Sequence, residues 1–326
     1  MDRALRRRAI LKARRSPPLP SRIQAEAEAR TRISRKVRNQ LRRMRPVTLV
    51  APRWSSASTF MEELEADLGP SHICRVVNAR GLASRAEMES WNFILHAINT
   101  LSADGADTRP VPVVVDRRGF LIAAEQGLKA ASQETLPAAL MIQSAEQLRL
   151  EVLEDLGTVW MGQEGRHSAL LVAASVATPA LAMTGGPWIE LEDYTEAEAA
   201  RYFLERAGKI PSNALAEAVA FSGGIPALVE EMAGKLATEG WPSHIEGWWK
   251  MLGPLAEDLR AAVQVALASP DLAERFFTLR DGRARAEEPR DQTLLLSGLV
   301  RRARTVGAAR VQIRAACLAM LAEPVE

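Results

Sequence analysis

Cysteine is scarce in this 326-residue chain: there are two, Cys74 and Cys317, far apart. That excludes a disulfide framework and a cysteine-rich zinc module, and a reducing cytosol is the simplest setting. Histidine is scarce too. His72, His96, His167 and His244 show neither HxxxH nor HExxH spacing, so each reads as structural or solvated. Long hydrophobic runs are missing. The longest apolar stretch, 168–183, falls short of the roughly 18–20 unbroken residues of a membrane span. It contains Ser, Thr and Pro179, and is expected to be a buried strand with its loop. The N-terminus is basic but lacks an apolar run and a small-residue cleavage site, so no secretory signal is expected.

What is present is enough apolar material for a sizeable core. Hydrophobic residues make up 47% and charged residues 25%, which excludes a wholly disordered chain. The length suggests about two domains. The net charge of +2 hides a split. Residues 1–46 carry 16 Lys/Arg against 3 Asp/Glu, whereas the remainder carries 26 against 37. A basic arm precedes an acidic body.

The arm, residues 1–45, opens with MDRALRRRAILKARR, and SPPLP at 16–20 predicts an extended connector. From Ser21 to Met44 the pattern is helical, with Ile33, Val37, Leu41 and Met44 on one face. Such a helix could lay its apolar stripe on the body, with its arginines solvated or paired. It could instead contact nucleic-acid phosphates or a partner's acidic surface. The candidate contact residues are Arg6, Arg7, Arg8, Arg14, Arg15, Arg35, Lys36, Arg38, Arg42 and Arg43. A membrane surface is disfavoured, because the stripe has no Trp or Phe anchors. No aromatics are interleaved with the arginines, so single-strand stacking is not suggested.

From Pro46 short apolar runs alternate with helical patterns. Strands are expected at 47–51, 73–77, 138–142 and 169–174, with an edge strand or extended loop at 111–115 because of Pro112. Helices are expected at 58–68, 85–101, 120–131 and 145–160. That alternation predicts a three-layer α/β domain with a parallel sheet over 46–186. After Gly185-Gly186-Pro187 the chain becomes helix-rich. Thr195 and Glu198 have capping-box spacing. A helical lid is expected over 187–250. Helix 293–299, strand 309–314 and helix 315–321 suit a winged-helix module over 251–326.

The first strand runs through Ala51-Pro-Arg-Trp-Ser-Ser-Ala-Ser58-Thr59 into a helix, where a phosphate-binding loop GxxxxGK[ST] would sit. On that template Ala51 and Ser56 take the glycine positions, Ala57 the lysine and Ser58 the Ser/Thr. Ser56 makes close backbone approach harder, and Ala57 supplies no charge. Ser58 could still reach a magnesium ion, and Arg53 is a candidate substitute charge lying four residues early. At the end of strand 138–142, the two positions where acidic residues would hold magnesium are Gln143 and Ser144. Glu146 is expected to point elsewhere.

With these stretches placed, the chain resembles the STAND/AAA+-like P-loop ATPases, origin-recognition-type members included. VTLVAPRWSSASTF resembles the P-loop strand and helix, PAALMIQSAEQL the metal-binding strand, and SALLVAASV the sensor strand, with Ser175 near its polar position. IELEDYTEAEAARYFLERAG and FSGGIPALVEEMAGKL, containing Gly224 and Pro226, resemble the lid. LLLSGLVRRARTVGAARVQIR resembles the winged helix. The resemblance implies a P-loop NTPase-like fold and ATP or ADP as ligand. The departures at the lysine and both acidic positions imply no hydrolysis, no catalytic residues, no metal and no required cofactor. The expected role is a scaffold or regulatory subunit with a protein partner, such as an active ATPase subunit. The alternatives are a DNA-binding winged-helix regulator or an ATP-binding switch.

Other features read as structure. Trp241, Trp248 and Trp249 are expected to pack between lid and C-terminal module, or else to form a partner surface. Residues 116–119 read as a turn, Asp104 and Asp107 as loop, and 280–290 as a solvated loop.

Overall fold

The computed structural model describes residues 29–102, 113–162, 167–175, 184–208, 210–242, 244–280, 283–303 and 309–321, with side chains from Arg32 onward. Arg6, Arg7, Arg8, Arg14 and Arg15, the proline connector, Asp104, Asp107 and Val111–Pro112 lie outside these residues. The chain divides into two compact units. The first contains Arg30–Pro52 and Ser56–Leu191. The second contains Arg53–Ser55 and the chain from Glu192 onward.

The first unit begins with α1 (Ala29–Arg42). It continues through β1 (Val47–Val50), α2 (Ala57–Leu68), β2 (Ile73–Asn78), α3 (Glu87–Asn99) and α4 (Arg117–Ala131). Then come β3 (Ala138–Gln143), a 3-10 turn at Ala145–Gln147, α5 (Leu150–Met161), β4 (Ser168–Ala174) and β5 (Trp188–Glu190). The strands form one parallel sheet in the order β2-β3-β4-β1-β5. β3 and β4 are apolar at almost every position because both faces are covered. Alternate residues feed opposite layers. Leu140, Ile142, Leu170 and Val172 pack with α3, α4 and α5. Val47, Leu49, Ala139, Met141, Leu171 and Ala173 pack with α1 and α2.

The apolar stripe Ile33, Val37 and Leu41 is buried in the α1/α2 layer, which is the alternative in which the helix lays its stripe on the body. Other expectations change here. The strand β5 lies inside the stretch expected to be lid. It has three residues, its burial is mixed, and it adds to the sheet beside β1, which a propensity reading misses. Val113–Val115 is not a strand. Asn92 instead donates to the Val114 carbonyl (3.0 Å) and accepts from its N–H (2.9 Å). Residues 116–119 are a helix start, not a free turn. Asp116 caps α4 by accepting from Gly119 N–H (2.7 Å), and Arg117 pairs with the buried Asp155 (2.6 Å).

The second unit is helical for most of its length. It comprises α6 (Glu196–Ala207), α7 (Ser212–Ser222), α8 (Pro226–Glu239), α9 (Ile245–Leu252), α10 (Pro254–Leu267) and α11 (Pro270–Leu279). Then follow β6 (Arg285–Ala286), α12 (Asp291–Leu296), β7 (Val300–Arg302), β8 (Arg310–Ile313) and α13 (Ala316–Leu321). The three strands are antiparallel in the order β6-β8-β7. The capping box of Thr195 and Glu198 opens α6. One hydrophobic cluster runs from Ala199 to Leu318, so the lid and C-terminal stretches share a core. Trp248 is buried in that cluster, with Trp241 and Trp249 packed against it. Residues 280–290 are not simply a solvated loop. They supply β6 and the Glu288 carboxylate, which pairs with the buried Arg275 (2.7 Å), itself held by Asp291 (2.8 Å).

Candidate functional site

In the first unit the chain leaves β1 for β2 at one edge, returns through β3 and β4, and crosses to β5 on the other side of β1. Open α/β sheets bind ligands beyond the carboxyl ends of strands at such a reversal. The residues there are Ala51 after β1, Asn78 at the end of β2, Gln143 at the end of β3 and Ser175 after β4. Ser58 and Thr59 lie on the first turn of α2, and both are exposed.

The parallel register puts Asn78 beside Gln143. The Gln143 Oε1 atom accepts two hydrogen bonds, from Asn78 Nδ2 (3.3 Å) and from Ser58 Oγ (3.4 Å). Asn78 Oδ1 is in turn occupied by the Arg80 N–H (2.9 Å). The group is therefore neutral and hydrogen-bonded within itself. One step along, Ser144 turns the chain with φ 55° into the 3-10 turn. That turn carries Glu146 back toward β4, where its carboxylate accepts from the Ser175 N–H (3.2 Å) and hydroxyl (2.9 Å). Glu146 therefore does not point away from this end of the sheet. A 3-10 turn has three residues per turn rather than 3.6, so it rotates the chain further per residue than an α-helical start does, and the sequence offered no sign of it. Among the described residues no group of three or more His, Cys, Asp or Glu could hold a metal ion.

The loop between β1 and α2 does not stay with this group. Ser56 precedes α2 with φ 53° and Trp54 has φ 63°. Left-handed backbone at non-glycine residues costs about 1–3 kcal/mol and persists where surroundings over-determine it. The intervening Arg53–Ser55 belongs to the second unit. The Arg53 guanidinium stacks over the Trp54 ring at 4.9 Å. Thr59 makes no contact that adds to the group, and Ala57 only opens α2.

Gly224 and Pro226 lie in the second unit and act there through packing. Tyr194 N–H donates to the Gly224 carbonyl (2.9 Å), and Pro226, buried, is the first residue of α8. Sequence reasoning also missed the ion cluster beside them. The Arg314 guanidinium, 2% exposed, is bound by Asp193, which also takes Arg301 (3.4 Å).

On α1, Arg35, Lys36 and Arg42 are exposed away from the buried stripe, with Arg43 exposed in the turn that follows, whereas Arg38 pairs with Asp67 (2.9 Å). Burial first, and then the Arg42 charge, hold the His72 imidazole below its ordinary value.

No protein-family profile and no curated protein matches this sequence. Solved structures do. A Walker-type ATPase of Pyrococcus abyssi aligns with a TM-score of 0.63 at 13% identity, over 90% of this chain and 95% of that one. The chain has the fold of a Walker-type ATPase. Cdc6p from Pyrobaculum aerophilum aligns with a TM-score of 0.49 at 15% identity, over 93% and 94% of the two chains. A STAND protein with a tetratricopeptide repeat sensor from Pyrococcus horikoshii aligns at 0.43 and 12%, over 91% of this chain and 42% of that one. In this ATPase fold, the carboxyl ends of β1, β3 and β4 are where Ser58, Gln143 and Ser175 stand. No helix among the described residues is long and apolar enough to cross a membrane.

Proposed function

We propose that this chain is an ATPase-fold protein that does not hydrolyse ATP and serves as a scaffold or regulatory subunit for a protein partner. The observation that carries this reading is Gln143. Magnesium takes carboxylate and phosphate oxygens in near-octahedral geometry. At the end of β3 this chain offers a neutral amide whose oxygen already accepts from Ser58 and Asn78. Ser58, the hydroxyl that would reach a metal, is donated to that amide. Ala57 brings no ammonium to a phosphate, and the Glu146 carboxylate is held by Ser175. These residues do not fit a magnesium nucleotide, so no hydrolytic step is derived through one.

The test is turnover of Mg-ATP by the full chain, set beside Ser58→Ala. The expected result is the same background rate in both. Turnover in the natural protein that Ser58→Ala abolishes would overturn the reading.

The exposed face of α1 favours a polyanionic contact for such a scaffold. Arg35, Lys36 and Arg42 stand on a helix fixed by its buried face, and Arg43 in the turn just after it, within a chain whose remainder is acidic. Four phosphate contacts on a duplex would give log K against log salt a slope of about −3.6. Replacing the four residues with Ala should remove that slope if duplex DNA is the partner. DNA binding that keeps its slope would show that another surface carries it. In this setting the C-terminal helices and antiparallel strands serve as a winged-helix module.

A further inference from the structure

The last turns of α1 meet the chain between α2 and β2. Arg38 pairs with Asp67 at 2.9 Å, and Arg42, one turn on, sets its charge against the His72 ring. That ring is 5% exposed, and its surroundings fix its proton. The Ser71 and His72 N–H groups both donate to the Leu68 carbonyl (2.8 and 2.9 Å), which holds the turn. Ser71 Oγ–H donates to the same carbonyl (3.1 Å), so Oγ accepts from His72 Nδ1–H at 2.8 Å. Nε2 is then the bare lone pair. It is buried and has no hydrogen-bond partner among the described residues. A proton taken up there would find no acceptor, and its charge would face Arg42. The nearby acid, Asp67, is held by Arg38, while Glu65 and Arg75 bear on Cys74.

α1 is the element able to yield. It carries Arg30, Arg32, Arg35, Lys36, Arg38 and Arg42 and no acidic residue. Like charges recur four apart, at Arg32 and Lys36 and at Arg38 and Arg42, which weakens the helix by itself. Its place depends on the stripe of Ile33, Val37 and Leu41 and on the pair with Asp67, which is part-exposed and so holds little. The ring, by contrast, sits on a turn tied to Leu68. We propose that this junction is a proton-operated clasp: α1 stays docked while the His72 imidazole is neutral, and leaves the sheet when Nε2 takes a proton, the rest of the unit staying folded. Below pH 6.5, the ordinary histidine value, the released form gains a proton that the docked form refuses. Release then grows by up to about tenfold per pH unit. The clasp lies wholly within the first unit and is independent of hydrolysis.

The experiment measures hydrogen-exchange protection on the full chain at pH 7.5 and 5.5, corrected for the intrinsic pH dependence of exchange. In the natural protein the Val37 and Leu41 amides should lose several-fold, up to about tenfold, of their protection at the lower pH. Amides of α3 should keep theirs. His72→Gln stays neutral and polar, so it should hold α1 protection equal at both values. Arg42→Ala, at an exposed position, removes the facing charge and should lessen the loss, a check that survives if His72→Gln fails to fold. The proposal is overturned if α1 protection in the natural protein does not fall, or if the fall persists undiminished in either variant. It is overturned too if α3 loses protection in step with α1, because the whole unit would then be unfolding.

Discussion

Replacing Gly224 with alanine isolates the tightest backbone approach in the second unit. Gly224 has φ 78°, and a Cβ built on it would lie 2.1 Å from the Tyr194 carbonyl oxygen. The left-handed backbone costs an L-residue about 1–2 kcal/mol. The overlap is with backbone, so it is relieved only by moving the strand of chain that opens α6, which adds about 1–3 kcal/mol. The expected loss is thus about 2–5 kcal/mol. With an m-value near 2 kcal/mol/M, that lowers the urea midpoint of this unit by about 1–2.5 M. Tryptophan fluorescence reports the transition, since Trp248 is buried in this core. Gly234, mid-way along α8, is the control: a Cβ there meets nothing within 4 Å. Gly234→Ala should stabilise by about 0.5–1 kcal/mol. If Gly224→Ala costs less than about 0.5 kcal/mol, the range of an ordinary surface change, the packing argument is refuted.

Leu41→Ala should destabilise the first unit by about 2–5 kcal/mol in denaturant titration, because Leu41 is fully buried under α2, whereas Arg43→Ala in the exposed turn after α1 should stay within about 0.5 kcal/mol. The His72 imidazole is held below its ordinary value in the fold by burial and then by the Arg42 charge, so its contribution to stability should be complete above pH 6.5, the ordinary histidine value, and decline as pH falls below it. His72→Gln should remove that part of the pH slope in urea midpoints measured from pH 8 to 5, and an unchanged slope would refute it. Burial pushes the Cys74 thiol up to about 11 and the Cys317 thiol up to about 12, so both should resist iodoacetamide at pH 8 in the folded chain and react at once in denaturant.

Much of the secondary structure was legible because it is local. The stripes Ile33/Val37/Leu41 and Phe60/Leu64/Leu68, the apolar run at 138–142 and the Thr195–Glu198 cap each depend on residues within a few positions of one another. Hydrophobic periodicity and capping chemistry suffice for those. The elements that escaped are ones with little local signal. β5 has three residues, and the 3-10 turn at Ala145–Gln147 has three. β6 has two, fixed by its antiparallel partner.

By itself the sequence determined the chemistry of the residues around the ends of β1 and β3, namely Ala57, Ser58, Gln143 and Ser144, and the gathering of arginines before residue 46. It also determined that the body alternates strand and helix. Only the tertiary structure decided what those residues do. Register places Asn78 beside Gln143, 65 positions apart, and the α2 start brings Ser58 to the same oxygen. Folding also turned Glu146 onto Ser175 and gave Arg53–Ser55 to the second unit. Hydrogen-bond partners this far apart are set by strand order and by which surface buries a tryptophan, quantities that exist only once the chain has packed.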